Sequence, residues 1–459
     1  MPNALAYAAL ALWPVVSFVL FRRLPVGRAL IASLLIAYLF LPPPPAEFNL
    51  PLLPALNKET LPGAVAVLLC LILYRDTLDF IPKSPVIRAL LILYIISPLL
   101  TVLTNPEPVF YGTFGLPGLR LREAVGMIVL QAMLILPFLM ARAYLRSDAD
   151  LRDLLLALLI GGLAYSVPML LEVRLSPQIN VWVYGFFQHD FAQMMRFGGF
   201  RPIVFLYHGL WVAFFTLTAV MASLALMKGE NGRQVVVYGA AAIYLIAVLI
   251  LCKSVASLLY ALALVPLILL FGQRMQLRVA LLLAVMALVY PAAKGLHLVP
   301  QGKLMQIAGE IDEERAASLK FRFDNESILL DRASEKPLFG WGMWGRNHVL
   351  DEHSGQIVTV TDGRWIILIG MFGWLGFLAE FGLLTVPIIL MWQRHHGQTA
   401  PISPYVGPVC LILAINIIDL IPNATITPLT WLFAGAILGY AELHVHKVLH
   451  AAPAFRTVL

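Results

Sequence analysis

Charge is scarce in this chain. Only 13% of its 459 residues are Asp, Glu, Lys or Arg, and 60% are hydrophobic. Soluble globular domains carry about a quarter charged residues, so both departures point towards lipid. Cysteine is nearly missing as well. Cys70, Cys252 and Cys410 each fall in or at the edge of an apolar run, and three scattered thiols make neither a disulfide framework nor a metal site. His348 and His353 lack a third ligand at metal spacing, so no metal is expected. The N-terminus has no basic leader and no small-residue cleavage site, and residues 4–21 are therefore read as a retained helix. The formal charge of +6 is not gathered into a nucleic-acid groove. It lies in short loops between apolar runs, as in membrane proteins, so no nucleic-acid partner is expected.

What the chain has instead is long apolar runs, such as 4–21 and 203–227, of the roughly 20 residues a helix needs to cross a bilayer. Backbone in lipid must satisfy its own hydrogen bonds, which leaves helices or a closed barrel. A barrel would alternate polar and apolar residues in segments of about ten, whereas these runs are continuously apolar. The sequence therefore predicts an all-α polytopic membrane protein with twelve to thirteen spans, at 4–21, 27–42, 61–74, 86–104, 122–141, 151–172, 203–227, 235–252, 255–271, 276–293, 365–392, 405–421 and 428–442. Every second loop is basic: Arg22, Arg23 and Arg28; Arg75, Lys83 and Arg88; Arg142, Arg146 and Arg152; Lys228 and Arg233; Arg274 and Arg278; Arg394; and Lys447 and Arg456. That side is assigned to the cytoplasm, with the N-terminus outside and the C-terminus inside. The histidines at 395, 396, 444, 446 and 450 belong to the same solvated basic edge. The chain divides into N-terminal spans (1–172), an outer loop (173–202), middle spans (203–293), a large outer loop (294–364), and C-terminal spans with a cytoplasmic tail (365–459).

The large loop holds twenty of the chain's 58 charged residues. Long loops in compact proteins are usually functional or disordered, and Phe321, Leu329, Leu330, Phe339, Trp341 and Trp344 are too apolar for a solvated tail. Residues 312–335 read as an amphipathic helix, ended by Pro337, Gly340 and Gly342. On that helix Arg322 and Glu326 share a face. Their plain reading is a weak surface ion pair; their functional one is a guanidinium forked onto phosphate beside a Gly/Trp turn that lets backbone approach a ligand. In the outer loop, Arg196-Phe-Gly-Gly-Phe-Arg201-Pro202 is either a snorkelling helix end or half of an anion cradle. Asp362 stands where the chain re-enters the membrane. Arg346 and Lys253 complete the list of candidate phosphate-binding cations, with Lys253 equally suited to snorkelling. The loop at 43–60 opens on four consecutive prolines and reads as a stiff connector rather than a site.

These residues resemble the O-antigen ligase/polymerase superfamily. The likeness is carried by Arg322 to Glu326, by Pro337-Leu-Phe-Gly-Trp-Gly342, by Asp362-Gly-Arg-Trp before a Gly-rich helix, and by the Arg196–Arg201 segment. It spans residues 185–390 in motifs and the remainder in topology only. The chain departs from the family pattern where it has Asp362-Gly363 in place of His-Asn and Glu326 in place of Trp. The resemblance implies a GT-C-like glycosyltransferase of the bacterial inner membrane, working on the periplasmic face without metal, cofactor or nucleotide sugar. Its donor would be an undecaprenyl-pyrophosphate-linked glycan, and its acceptor a hydroxyl of lipid A core or of another lipid-linked glycan. Arg322 would match the family's essential loop arginine, with Arg196 or Arg201 as its partner.

The resulting expectation is that Arg322, Arg196 and Arg201 neutralise the departing pyrophosphate while Glu326 or Asp362 takes the acceptor proton. Polymerisation of exopolysaccharide or O-antigen is favoured over ligation. The rival classes are a transporter or flippase of lipid-linked glycans, which would place ionisable residues inside the spans, and a scaffold or sensor using the loop as a binding surface. Apart from Asp419, the spans read as nearly free of charge.

Overall fold

The computed structural model describes residues 1–51, 53–75, 79–311, 313–396 and 401–450. Arg456, and the side chains of His444, His446, Lys447 and His450, lie outside the described residues. The chain is built almost wholly of helices. In order they are α1 (Ala4–Arg23), α2 (Val26–Phe40), α3 (Leu61–Leu73), α4 (Pro85–Leu103), α5 (Leu121–Leu134), α6 (Leu136–Tyr144), α7 (Asp148–Leu175), α8 (Ile179–Tyr184) and α9 (Gly209–Gly229). There follow α10 (Arg233–Leu251), α11 (Val255–Leu270), α12 (Gln273–Gly295), α13 (Gln301–Ile311), α14 (Glu313–Ser334), α15 (Arg364–His395), α16 (Val406–Asp419) and α17 (Pro428–His450). Two small hairpins, β1 (Val109–Tyr111) with β2 (Phe114–Leu116) and β3 (Met195–Arg196) with β4 (Gly199–Phe200), sit in the connections.

Among the described residues eight helices are long and apolar enough to cross a membrane, the α5–α6 pair counting as one, and four shorter apolar helices accompany them. The bundle is organised around α9, whose residues from Val212 to Leu226 are almost all buried. A helix apolar all round belongs in a core, and α9 packs on α7, α10, α11 and α16. Peripheral helices turn bare aliphatic side chains outward: Ile243 is 73% exposed, Leu262 73% and Leu270 76%. Soluble monomers seldom tolerate such a girdle, and lipid explains it. Fold class and multi-pass character thus follow the sequence reading.

Local chemistry sets the element boundaries. Ser147 and Asp150 cap α7 reciprocally, each side chain accepting from the other's backbone amide. Pro137 restarts the helix after Ile135, so the single expected span at 122–141 is two helices. The span expected at 203–227 begins only at Gly209, because the carboxylate of Glu172 holds the amides of Ile203 and Val204 in a non-helical turn, with Val204 at a φ of +50°. The helix at 312–335 forms as α14, but α13 before it was not foreseen.

The expectation of nearly charge-free spans is corrected. Glu380 is fully buried within α15, Glu172 is buried on α7, and Arg142 is buried on α6 against Glu442. The apolar pattern concealed them because each is singly placed and satisfied by a distant partner. The bundle has two distinct ends. One gathers Arg142, Arg146, Asp79 and Glu442. The other gathers the connections at 41–60, 104–120, 176–208 and 296–363 with the segment after α16, and it carries every candidate site residue.

Candidate functional site

Lys294, in the last turn of α12, sends its buried ammonium to Glu326 on α14, at 3.2 Å, where Tyr290 also donates to the carboxylate at 3.1 Å. The same ammonium lies 4.4 Å above the Phe323 ring. Burial pushes the Glu326 carboxyl above its ordinary range, with Lys294, Tyr290 and Arg322 pulling the other way. Arg322, one turn away, does not pair with Glu326. Its Nε lies 3.3 Å from Asp362 Oδ2, and Nη1 donates to the Pro422 carbonyl at 3.4 Å. The helical ion pair expected from spacing is therefore replaced by two tertiary pairs, because each side chain meets a better-placed partner across the site. Asn325 accepts from the Val360 amide, which fixes the strand-like approach to Asp362.

The segment 337–342 closes on protein rather than on a ligand. α15 is broken at Gly373, whose φ of +67° and ψ of −171° are outside helical values. Trp341 and Gly342 donate their amides to the Gly370 and Met371 carbonyls at 2.8 and 2.9 Å, while the amides of Trp374 and Leu375 donate to Pro337 and Leu338. The loop thus supplies the hydrogen bonds that the break removes. A Cβ on Gly340 would stand 2.5 Å from the Met371 carbonyl carbon, and one on Gly373 would stand 2.3 Å from that of Leu338. Those two glycines are required by backbone meeting backbone.

The break brings residues far apart in sequence together. Arg364 makes a forked pair with Glu380, Nε to Oε1 at 2.7 Å and Nη2 to Oε2 at 2.6 Å. Sixteen residues of straight helix would separate the two by about 24 Å, so the short first arm folds back along the second. The backbone amide of Arg364 also donates to Leu420 and Asn423 carbonyls. There Asp419 closes α16, accepting from Thr425 at 2.9 Å, Asn423 at 3.1 Å and Tyr260 at 3.3 Å.

A second cluster lies at the entrance to α9. The Arg201 side chain is buried, the residue only 4% exposed; among the described residues its Nε has no hydrogen-bond partner and no carboxylate acts on it. Burial, helped by neighbouring Arg196, lowers its pKa to about 10, so it is still a cation at neutral pH. His208 caps α9 by accepting from the Leu210 amide, and its ring stands 4.5 Å from that of His189. Burial, with Arg201, His189 and Arg196, pushes His208 down to about 3, so it stays neutral and adds no charge. Lys253, held at a φ of +53°, donates to the carbonyls of Arg196 and Phe197 and so staples the β3–β4 turn. The structure therefore joins Arg196, Arg201 and Lys253 in one cluster and Arg322, Asp362 and Glu326 in another.

Arg346 belongs to neither cluster. Its guanidinium donates to the carbonyls of Trp341, Pro117 and Glu107 and to the Asn105 side chain, which makes it an internal brace of the loop. Among the described residues no three His, Cys, Asp or Glu side chains converge as a metal site requires.

Between the clusters is a cavity of about 20 Å³, room for a water. Trp211 and Phe214 of α9 form one wall, Asn416, Thr425 and Thr427 another, and Tyr38 a third. The connector at 43–60, read as a stiff spacer, proves to reach this region. Lys58 is buried and donates to the Phe205 carbonyl at 2.7 Å. Glu59 next to it keeps some exposed surface although protein surrounds it on almost every side. The only sequence signal was a Lys-Glu pair immediately before an apolar run, and the prolines overshadowed it.

Burial lowers Lys58 to about 7. An unfolded lysine titrates near 10.5, so between those values the unfolded chain binds the extra proton and stability rises with pH. Relative to Lys58→Met, the wild type should therefore gain on the order of a few kcal/mol between about pH 7 and 10. Unfolding curves of the two proteins at the two pH values check this; a constant gap refutes it.

Fold and site together define a multi-pass helical membrane protein with two cation-bearing clusters at one end of its bundle. No family model matches the chain, and no curated protein matches it in sequence.

Proposed function

We propose that this protein is a glycosyltransferase of the bacterial inner membrane, of the O-antigen ligase/polymerase kind and GT-C-like in plan. It would move a glycan from undecaprenyl pyrophosphate to a hydroxyl of another lipid-linked glycan or of lipid A core, at the periplasmic face. The observation that carries the reading is Arg201: a buried guanidinium with no acid beside it among the described residues, flanked by Arg196 and Lys253, at the head of a lipid-facing bundle. A buried cation without a counter-charge is costly unless an anion completes it. A lipid pyrophosphate would supply that anion while its tail lies against the apolar helices.

Arg322 is the complementary group. It is about one-third exposed and is held by one carboxylate and one long carbonyl contact, so it can turn to a phosphate that gains charge as the glycosyl bond breaks. Preorganised cations at the leaving group stabilise the transition state more than the bound donor. Asp362 aims Arg322, and Glu326 with Lys294 holds the helix that carries it. Polymerisation remains the favoured outcome.

A flippase is the second reading, favoured by the buried Arg364–Glu380 pair, since ionisable residues inside spans mark transport paths. The test is gene deletion complemented with wild type, Arg322→Ala or Arg201→Gln, followed by analysis of lipid-linked and surface glycans. Either variant should lower transfer by about 10²–10³-fold, the loss seen when one preorganised donor to developing charge is removed. Single repeat units accumulating on the carrier indicate a polymerase, and polymer never joined to lipid A core indicates a ligase. Unchanged glycans in the deletion strain reject the transferase reading and favour transport.

A further inference from the structure

Two leucines stand bare in an ordered turn where α12 ends. His297 takes a left-handed φ of +57° and donates its amide to the Lys294 carbonyl at 3.1 Å, and the Leu298 amide donates to Ala293 at 2.9 Å. This pair of bonds is a Schellman motif, so the helix end is closed rather than frayed. It nevertheless leaves Leu296 69% and Leu298 70% exposed. Leu296 is not isolated. Leu282, Val285, Met286 and Val289 form the exposed stripe of α12 at helical spacing, and Leu296 stands about two turns beyond Val289. Lys294, on the other side of that last turn, is buried against Glu326. The stripe that faces lipid along α12 therefore runs off the helix end at Leu296 and passes to Leu298.

α13 continues it. Leu304 and Ile307, three apart and so on one face, are both exposed. Met305 and Ala308 are partly buried, and a Cβ on Gly309 would stand 3.8 Å from that of Ala316 on α14. Lys303, Gln306 and Glu310 occupy the remaining side and are exposed. α13 thus has three sides: one against α14, one polar, and one apolar and uncovered. A helix of 11 residues is marginal on its own, so the uncovered side calls for support. Four aliphatic side chains fall well short of the roughly 20–30 residues a side found in a stable protein interface. Lipid needs no such matched surface, and the strip is continuous with the girdle that lipid already covers.

We propose that Leu296, Leu298 and the Leu304–Ile307 face of α13 rest in the bilayer surface at this end of the bundle. α13 is then an interfacial helix, its apolar face about 5–10 Å into the boundary between headgroups and acyl chains. It acts as a strut under α14, on which it packs and whose Glu326 is tied to the end of α12. Arg322 sits on that same helix. Under the glycosyl-transfer reading, on which this consequence alone rests, the strut holds Arg322 at the level of a lipid-borne pyrophosphate.

The experiment uses the full-length protein in phospholipid nanodiscs, with Leu298→Cys, Leu304→Cys, Ile307→Cys and Gln306→Cys each labelled with bimane. The native thiols of Cys70, Cys252 and Cys410 are buried and do not compete for the label. Labels at Leu298, Leu304 and Ile307 should emit further to the blue and lose intensity to nitroxide-bearing phospholipid, while iodide in the water leaves them bright. The label at Gln306 should show the reverse. Iodide reaching Leu304 and Ile307 as readily as Gln306 overturns the proposal, because that face then lies in water. Labels at Leu304 and Ile307 shielded from both quenchers overturn it too, since protein, either a second copy or another part of this chain, then covers them. Lipid quenching as strong at Gln306 as at Leu304 also overturns it, because the helix then has no wet side. None of these readouts uses glycosyl transfer, so a failure here leaves the proposed function standing, and failure of that function leaves the lipid contact standing.

Discussion

Glu380→Ala should destabilise the protein by about 3–5 kcal/mol, the usual cost of stranding one partner of a buried pair. Glu380 is completely buried, and both its oxygens are taken by the Arg364 fork. Truncating it takes both hydrogen-bonded oxygens from the Arg364 guanidinium and leaves only the weaker field of Glu59 to offset its charge. The double replacement Arg364→Met with Glu380→Leu should recover most of the loss, because removing both charges removes the desolvation cost with them. Thermal unfolding of the purified protein in detergent compares the three. If Glu380→Ala melts with the wild type, the pair does not hold the two arms of α15 together.

Gly373→Val should be as damaging by a different route. The left-handed φ alone costs roughly 1–2 kcal/mol for a residue with a Cβ, and more for a β-branched one. The larger part is steric, since a Cβ would fall within 2.3 Å of backbone at Leu338. Backbone cannot step aside as a side chain does, so the docked loop would be expelled and little folded protein should be recovered. Gly198→Val is the control. Its φ is +66°, but a Cβ there would meet nothing within 4 Å, so only the conformational strain applies. Limited proteolysis and the yield of monodisperse protein should separate the two variants widely. Equal behaviour would mean that 337–342 does not dock against the break.

Sequence reading served best where one periodic or compositional signal decided the matter. The apolar runs located most of the helices to within a few residues, and the charge-rich stretch at 294–364 marked the end of the bundle where the candidate residues gather. It served less well where partners are distant. Arg322 and Glu326 are four apart, and the local rule pairs them. The structure gives Arg322 to Asp362, forty residues on, and Glu326 to Lys294 at the end of another helix. Such choices depend on how α12, α14 and α15 meet, which no local spacing encodes. The break at Gly373 was hidden for a related reason. Apart from Glu380, residues 365–392 stay apolar, and a glycine in an apolar run gives no sign that the chain reverses there. Lys58 and Glu59 were passed over because four prolines nearby suggested a spacer. Arg346 was counted as a phosphate-binding cation because sequence shows charge but not the carbonyls that occupy it.

The way 337–342 completes α15 also bears on how the protein is made. Until that segment arrives, the carbonyls of Gly370 and Met371 and the amides of Trp374 and Leu375 have no partners at the break. Bare peptide groups are strongly disfavoured in hydrocarbon, at several kcal/mol each. The short arm of α15 therefore cannot settle in the bilayer as an ordinary span would when it leaves the insertion machinery. It must wait for the preceding loop to fold against it, so docking of that loop and maturation of α15 become a single late step in assembly.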